Sequence, residues 1–319
     1  MKFRLVESAC LVLTLSSALA AGDSMAAGPG GGDPYRHWQL KPMIDAVDTA
    51  FAAAWAASTP AEREMLGRAR RDWMREWSDY HDVSNNLESA KAALKNQLAR
   101  LTGMPQSGPG MGRAFVPVFL MQEDRGDLWF FNISTLRFAD PQTAGERLFN
   151  AKVKAFLDYA LAEERESIET YKESGRIWAE TSVSFASPKL LSVHISYDVF
   201  EQPSPYGTPS VLGINIDLGT GREIALHDIV DERAVTRLAK ICDASTVNIE
   251  GHSLKQLAGD DGKDFNSRDL VADIGRWWMG EDKVVVYLGQ LWIHAVGDFT
   301  CSIPMAEVKR LARPGAPLP

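Results

Sequence analysis

Cysteine is scarce in this sequence: three residues in 319, too few for a disulfide scaffold and wrongly spaced for a zinc site. Positive charge is also in deficit, with Lys+Arg 34 against Asp+Glu 42 and a net charge of −8. That balance excludes the phosphate grip of a nucleic-acid binder and favours a basic partner. The six histidines are scattered, and none are spaced i, i+4 as in a helical zinc site. There is no Gly-x-Ser-x-Gly elbow and no glycine-rich phosphate loop ahead of a lysine. No repeat is found either. What remains is a chain with 45% hydrophobic residues, enough to fill a core of one large or two ordinary domains.

The N-terminus reads as an address. Lys2 and Arg4 precede an apolar run, and Ala18-Leu19-Ala20 offers a cleavage site, the three parts of a secretory signal over residues 1–20. The run falls short of the ~20 residues that span a bilayer, and no later stretch approaches that length. Cys10 is not set in a lipobox. The expectation is a soluble periplasmic or secreted protein, not an integral membrane protein, still more acidic once Lys2, Arg4 and Glu7 are removed. Cys242 and Cys301 then remain alone in a compartment where disulfides persist. Two readings stay open: a bridge worth about 4 kcal/mol, or two buried free thiols.

Residues 21–37 are rich in Gly, Pro and Ala and read as a flexible leader. Helical spacing begins at Leu40, with Ile44, Val47, Phe51, Ala54 and Trp55 on one face. Thr59, Pro60 and Glu62 form a capping box for a second helix. A sevenfold series, Leu66, Trp73, Tyr80, Leu87, Leu94 and Leu101, continues it, with an interruption at Ser84-Asn85-Asn86. These residues give a helical domain over 38–104, and 105–112 is a Gly/Pro linker. The following residues, 113–313, carry strand patterns broken by helices, with a tail at 314–319.

Strands are expected at Ala114 to Met121, Leu128 to Leu136, Thr181 to Phe185, Leu191 to Val199 and Val211 to Leu218. Glu223 to Leu226, Val284 to Leu288, Leu291 to Ala295 and Thr300 to Ile303 follow. Helices are expected after an Asp140-Pro141 cap, after Asp231 and from Met305 to Leu311. The fold class is α+β: an N-terminal helical hairpin, then a mainly antiparallel sheet with packed helices.

Three pieces of the second half carry a resemblance. They are Phe138-Ala139-Asp140-Pro141 leading to Asn150, the strand pair Leu190 to Tyr197 and Ile214 to Leu218 with Gly219-Thr220-Gly221 and Leu226-His227-Asp228-Ile229, and Val284 to Leu288 ending at Ser302-Ile303-Pro304-Met305. Together these resemble the extracytoplasmic RsiV-type domain, found in a lysozyme-sensing anti-sigma factor and with PdaC-type peptidoglycan deacetylases. In place of that family's Gly-Gly-Ala-His-like loop stands Ser204-Pro205-Tyr206-Gly207-Thr208. No anti-sigma segment, membrane helix or deacetylase domain accompanies it, so the resemblance implies the binding role alone. Leu66 to Trp77 is similar to a segment of LprI-type lysozyme inhibitors, without their cysteines.

Tyr206, flanked by Ser204 and Thr208 in a proline-stiffened loop, is the first candidate for a binding contact, because aromatics give large contact area at small entropy cost. Trp277, Trp278 and Trp292 read as core, and His194 as a surface histidine. Residues 260–266 have a calcium-like composition without the spacing of an EF-hand and read as a solvated loop. No catalytic residue, metal site or cofactor is assigned. The expected function is an exported envelope binding protein, an inhibitor or sensor of basic lysozyme-like hydrolases or a binder of peptidoglycan itself. Two alternatives stand beside it. One is a periplasmic enzyme acting on peptidoglycan or another envelope substrate, for which Asp217, His227, Asp228 and Asp298 are the loosely grouped acid/base candidates. The other is a structural envelope protein.

Overall fold

The computed structural model describes residues 38–84, 87–122, 130–166, 175–201, 207–246, 267–290 and 298–319. The expected signal, leader, calcium-like loop and 291–295 strand lie outside these residues, as do Ser204, Tyr206 and Trp292. Eight α-helices and nine strands are found among the described residues. They make an α+β fold with a six-stranded sheet and a three-stranded sheet.

The helical segment consists of α1 (Lys41–Ala57), α2 (Pro60–Ser84) and α3 (Leu87–Thr102). Thr59 and Glu62 form the expected box: Thr59 N donates to Glu62 Oε2 at 2.8 Å and Glu62 N to Thr59 Oγ1 at 3.3 Å. The buried stripes of the three helices converge on Phe119 and Met121 of β1 (Phe115–Gln122), so the helices pack on the sheet. The sevenfold series serves this core, with Leu66, Leu94 and Leu101 buried. Glu62 also accepts both Arg137 Nε and Nη2 at 2.7 Å, which ties the start of α2 to β2 (Phe130–Phe138).

The residues 105–112 run along the end of β3 (Gly175–Ala186). Gln106 N donates to Val183 O, Gly110 N to Ala186 O, and Ala186 N to Ser107 O. Proline and glycine here set a path that β3 hydrogen-bonds in place.

The six-stranded sheet runs in chain order from β1 to β6, adding β4 (Leu190–Glu201), β5 (Thr208–Asp217) and β6 (Arg222–Glu223). All its pairings are antiparallel except β2–β3. A parallel pair needs a crossover, and α4 (Ala144–Glu166) supplies it. Phe149, Val153, Phe156 and Ala160 of α4 pack on Ile177, Ala179, Leu191, Val193, Ile195, Ile214 and Ile216 of the sheet. Asn150 fixes the crossover by bonding both backbone groups of Phe138.

Two starts differ from expectation. The N-cap of α4 is Thr143, whose Oγ1 accepts from Glu146 N, while Glu146 caps Gln142 and Thr143 in return; Asp140 lies outside that box. The strand expected at Glu223 to Leu226 stops at Glu223, and α5 (Leu226–Ile229) follows. Asp228 closes it by accepting from Ala225 N at 2.8 Å, a local bond that competes with the strand.

The remaining elements are α6 (Glu232–Ser245), α7 (Ser267–Ala272), β7 (Trp277–Met279), β8 (Lys283–Gln290), β9 (Asp298–Pro304) and α8 (Met305–Leu311). Strands β7, β8 and β9 form the second sheet and share a core with α6 and α8. Cys242 of α6 and Cys301 of β9 are joined in a disulfide, Cα to Cα 5.3 Å apart. The second sheet stacks on β4 and β5 through Gly213, where a Cβ would fall 2.1 Å from Trp277 O. A buried polar chain locks the layers. Met279 N donates to Ser192 Oγ at 2.7 Å, Ser192 Oγ to Asn215 Oδ1 at 2.7 Å, and Asn215 Nδ2 to Trp277 O at 3.0 Å.

Candidate functional site

Strict alternation in β4 sends Leu191, Val193 and Ile195 to α4 and leaves Ser192, His194, Ser196, Asp198 and Phe200 on the other face. The β3–β4 register sets Arg176 opposite Phe200, Trp178 opposite Asp198 and Glu180 opposite Ser196. Residues directly opposite in such a pair project from the same face. One strip of sheet therefore carries an indole, two carboxylates, a guanidinium and a phenyl ring.

The strip has walls. From α3, Arg100 Nε approaches Glu180 Oε1 at 3.8 Å. On the far side Tyr287 Oη of β8 donates to Pro209 O at 2.7 Å, and Pro209 is the register partner of Asp198. At one end His194 stacks on Trp278, ring centroids 4.5 Å apart, and shares a 2.9 Å hydrogen bond between Nδ1 and Ser184 Oγ. The expected surface histidine is thus covered, and burial pushes its pKa down to about 4, so it is neutral. At the other end the Arg176 guanidinium lies 3.9 Å from the centre of the Phe200 ring. The tip of that ring abuts Gly207, where an added Cβ would fall 2.6 Å from it.

Trp178 is 38% exposed, although its neighbours Ile177 and Ala179 are buried. Asp198 beside it is half-buried and forms no hydrogen bond or ion pair with any described residue. Burial raises its carboxyl above the usual range, with the charge of Arg176 acting against that. Glu180 shares its face but is answered by Arg100. The result is an open aromatic surface next to a carboxylate that has no ion-pair or hydrogen-bond partner among the described residues, chemistry suited to a cation.

Thr208 stands at the margin of this strip, exposed, as the first residue of β5 and the partner of Val199. The segment holding Ser204 and Tyr206 joins Glu201 to Gly207 next to Phe200. Among the described side chains, Asp217 makes no bond to the adjacent pair His227 and Asp228. Asp217 accepts from Gly219 N and Thr220 N in its own turn. Burial works upward on Asp217, but the bonds from Thr220 and Gly219 and the charge of Arg222 outweigh it and hold the carboxyl low. His227 is exposed and its Nε2 is 3.7 Å from Asp228. Asp298 begins β9, paired with Gln290.

The Ser184–His194 contact lacks the access a nucleophile needs, since Ser184 is 3% exposed. Among the described residues no group of three or more His, Cys, Asp or Glu is placed to hold a metal. No helix among them is long and apolar enough to cross a membrane.

Trp178 and Asp198 went unnoticed in the sequence because each sits on the polar phase of a strand. The available signal was a tryptophan on that phase, between two small or branched apolar residues.

No family model and no curated protein matches the chain. Among solved structures, it is similar to a DUF3298 family member from Bacteroides fragilis, at 15% identity and a TM-score of 0.46, with 62% of this chain and 93% of that chain covered. It is likewise similar to a DUF3298 family protein from Pseudomonas aeruginosa, at 16% identity and a TM-score of 0.42, covering 63% of this chain and 93% of the other.

Proposed function

We propose that this chain is an exported binding protein of the cell envelope that captures a basic protein, with lysozyme-like peptidoglycan hydrolases as the partner class. The observation that carries the reading is the β3–β4 strip, an exposed tryptophan beside a carboxylate with no ion-pair partner among the described residues, next to the strands that flank Tyr206. Aromatic anchors with low entropy cost are typical centres of protein interfaces. The net charge of −8 steers a basic partner toward the protein over a distance set by ionic strength. The signal-like start supports export, and the RsiV-like pieces support a binding role in preference to catalysis.

The test is calorimetric titration of the purified protein with lysozyme, combined with an assay of lytic activity on cell walls. Association is expected, weakening steeply as salt is raised. No association at about 10 μM and low salt removes this partner class. Tyr206→Ala is expected to weaken the complex by about 1 kcal/mol or more if the 202–206 segment contributes a main contact.

A further inference from the structure

We infer that Trp178 and Asp198 form a receptor for one cationic side chain, the guanidinium or ammonium group of an arginine or lysine on a basic protein surface. The inference deepens the proposed function by naming what the strip grips, and it rests on that reading for the identity of the protein bearing the cation.

Three observations carry it. First, Trp178 and Asp198 are cross-strand partners, so an indole and a carboxylate project side by side from one face. Second, neither cation already present forms an ion pair with Asp198, although the charge of Arg176 acts on it from a distance. Arg176 lies over Phe200 at 3.9 Å, and Arg100 faces Glu180 at 3.8 Å. Asp198 is half-buried and makes no hydrogen bond or ion pair with any described residue. Third, Trp178 is 38% exposed on a strand whose other face is closed by α4. Cation attraction is strongest on tryptophan, and a carboxylate alongside adds a charge-assisted hydrogen bond. A guanidinium fits both at once, because its flat face stacks while its edge donates. Around the receptor stand Arg176, Glu180 and Arg100, with Ser196 as the uncharged neighbour. Glu180 is paired with Arg100 and the charge of Arg176 already acts on Asp198, so the receptor has room for a single added cation.

The experiment follows the Trp178 indole N–H resonance of the full protein, assigned with Trp178→Phe, during titration with a short arginine peptide. A citrulline peptide of the same length, which keeps the shape and loses the charge, is the control. The arginine peptide should shift the resonance saturably and the citrulline peptide should not. Asp198→Asn should weaken the arginine peptide by about threefold to tenfold. An equal response to citrulline, or unchanged affinity in a natively folded Asp198→Asn protein, overturns the receptor. Lysozyme titration separates the two claims. If lysozyme binds with the same affinity to Asp198→Asn and Trp178→Leu as to the parent, the receptor is wrong and the partner class stands. If the arginine peptide binds as expected but lysozyme does not, the receptor stands and the partner class is wrong. Native near-ultraviolet dichroism in both variants excludes misfolding as the cause of any loss.

Discussion

Glu62→Gln tests how the helical segment is held to the sheet. Glu62 receives two Arg137 bonds of 2.7 Å, and the two side chains are only 19% and 20% exposed. Exposed pairs contribute at most about 1 kcal/mol, and one-sided loss of a buried pair costs about 3–5 kcal/mol. A half-sheltered bidentate pair falls between, at about 2 kcal/mol. Glutamine keeps an acceptor for Thr59 N, whereas Glu62→Ala also loses the capping box and should cost about 1 kcal/mol more. The pH dependence fixes the cause. The Arg137 hydrogen bonds, against the effect of burial, hold the Glu62 carboxyl below its usual 4.5. A lowered acid contributes stability that is complete above 4.5 and lost as pH falls through the folded-state value. Urea unfolding should therefore show a gap of about 2 kcal/mol between parent and Glu62→Gln at neutral pH that closes in strong acid. Arg137→Met should match it, and the double variant should lose less than the sum. A gap under about 0.5 kcal/mol at neutral pH, or one undiminished in acid, refutes the clamp.

Three further outcomes follow from the packing. Gly213→Ala places a Cβ against the Trp277 carbonyl and should lower stability by about 2 kcal/mol or more; an unchanged urea midpoint would show that the two sheets are not in contact there. Reducing Cys242–Cys301, which spans 59 residues, should cost about 4 kcal/mol, read as a midpoint shift with reductant that the Cys242→Ala/Cys301→Ala protein does not show. His194 has its pKa depressed from 6.5 to about 4 by burial. Its contribution is therefore complete above 6.5 and falls as pH drops toward 4, by up to about 3 kcal/mol. His194→Gln should flatten that slope of stability against pH, and an identical slope sinks the assignment.

Legibility in the sequence followed periodicity. Leu190–Glu201 and Thr208–Asp217 were readable within a few residues because Leu191, Val193 and Ile195, and Ile214 and Ile216, alternate with polar residues. The first half of β3 was missed because Arg176, Trp178 and Glu180 look like a mixed surface until paired with Phe200, Asp198 and Ser196. Strand β7 was missed because three residues show no period, and its place is set by the Asn215 bond to Trp277 O. The burial of His194 depends on Trp278, far along the chain, and local pattern has no access to such a partner. The candidate site failed to show for the same reason. Its two residues are neighbours by register alone.

The disulfide has a consequence for the chain as a covalent object. The positions enclosed between Cys242 and Cys301, a sequence separation of 59, include 247–266 and 291–297, and they form a ring closed by sulfur. A peptide bond cleaved anywhere inside that ring leaves two pieces that still travel as one mass until reductant is added. Strand β9 and the helix after it stay attached to α6 through such a cut. Because Trp277, Trp278, Met279 and Tyr287 lie inside the same ring and touch β4 and β5, the disulfide also keeps the partners of that sheet face on the molecule after such a cut.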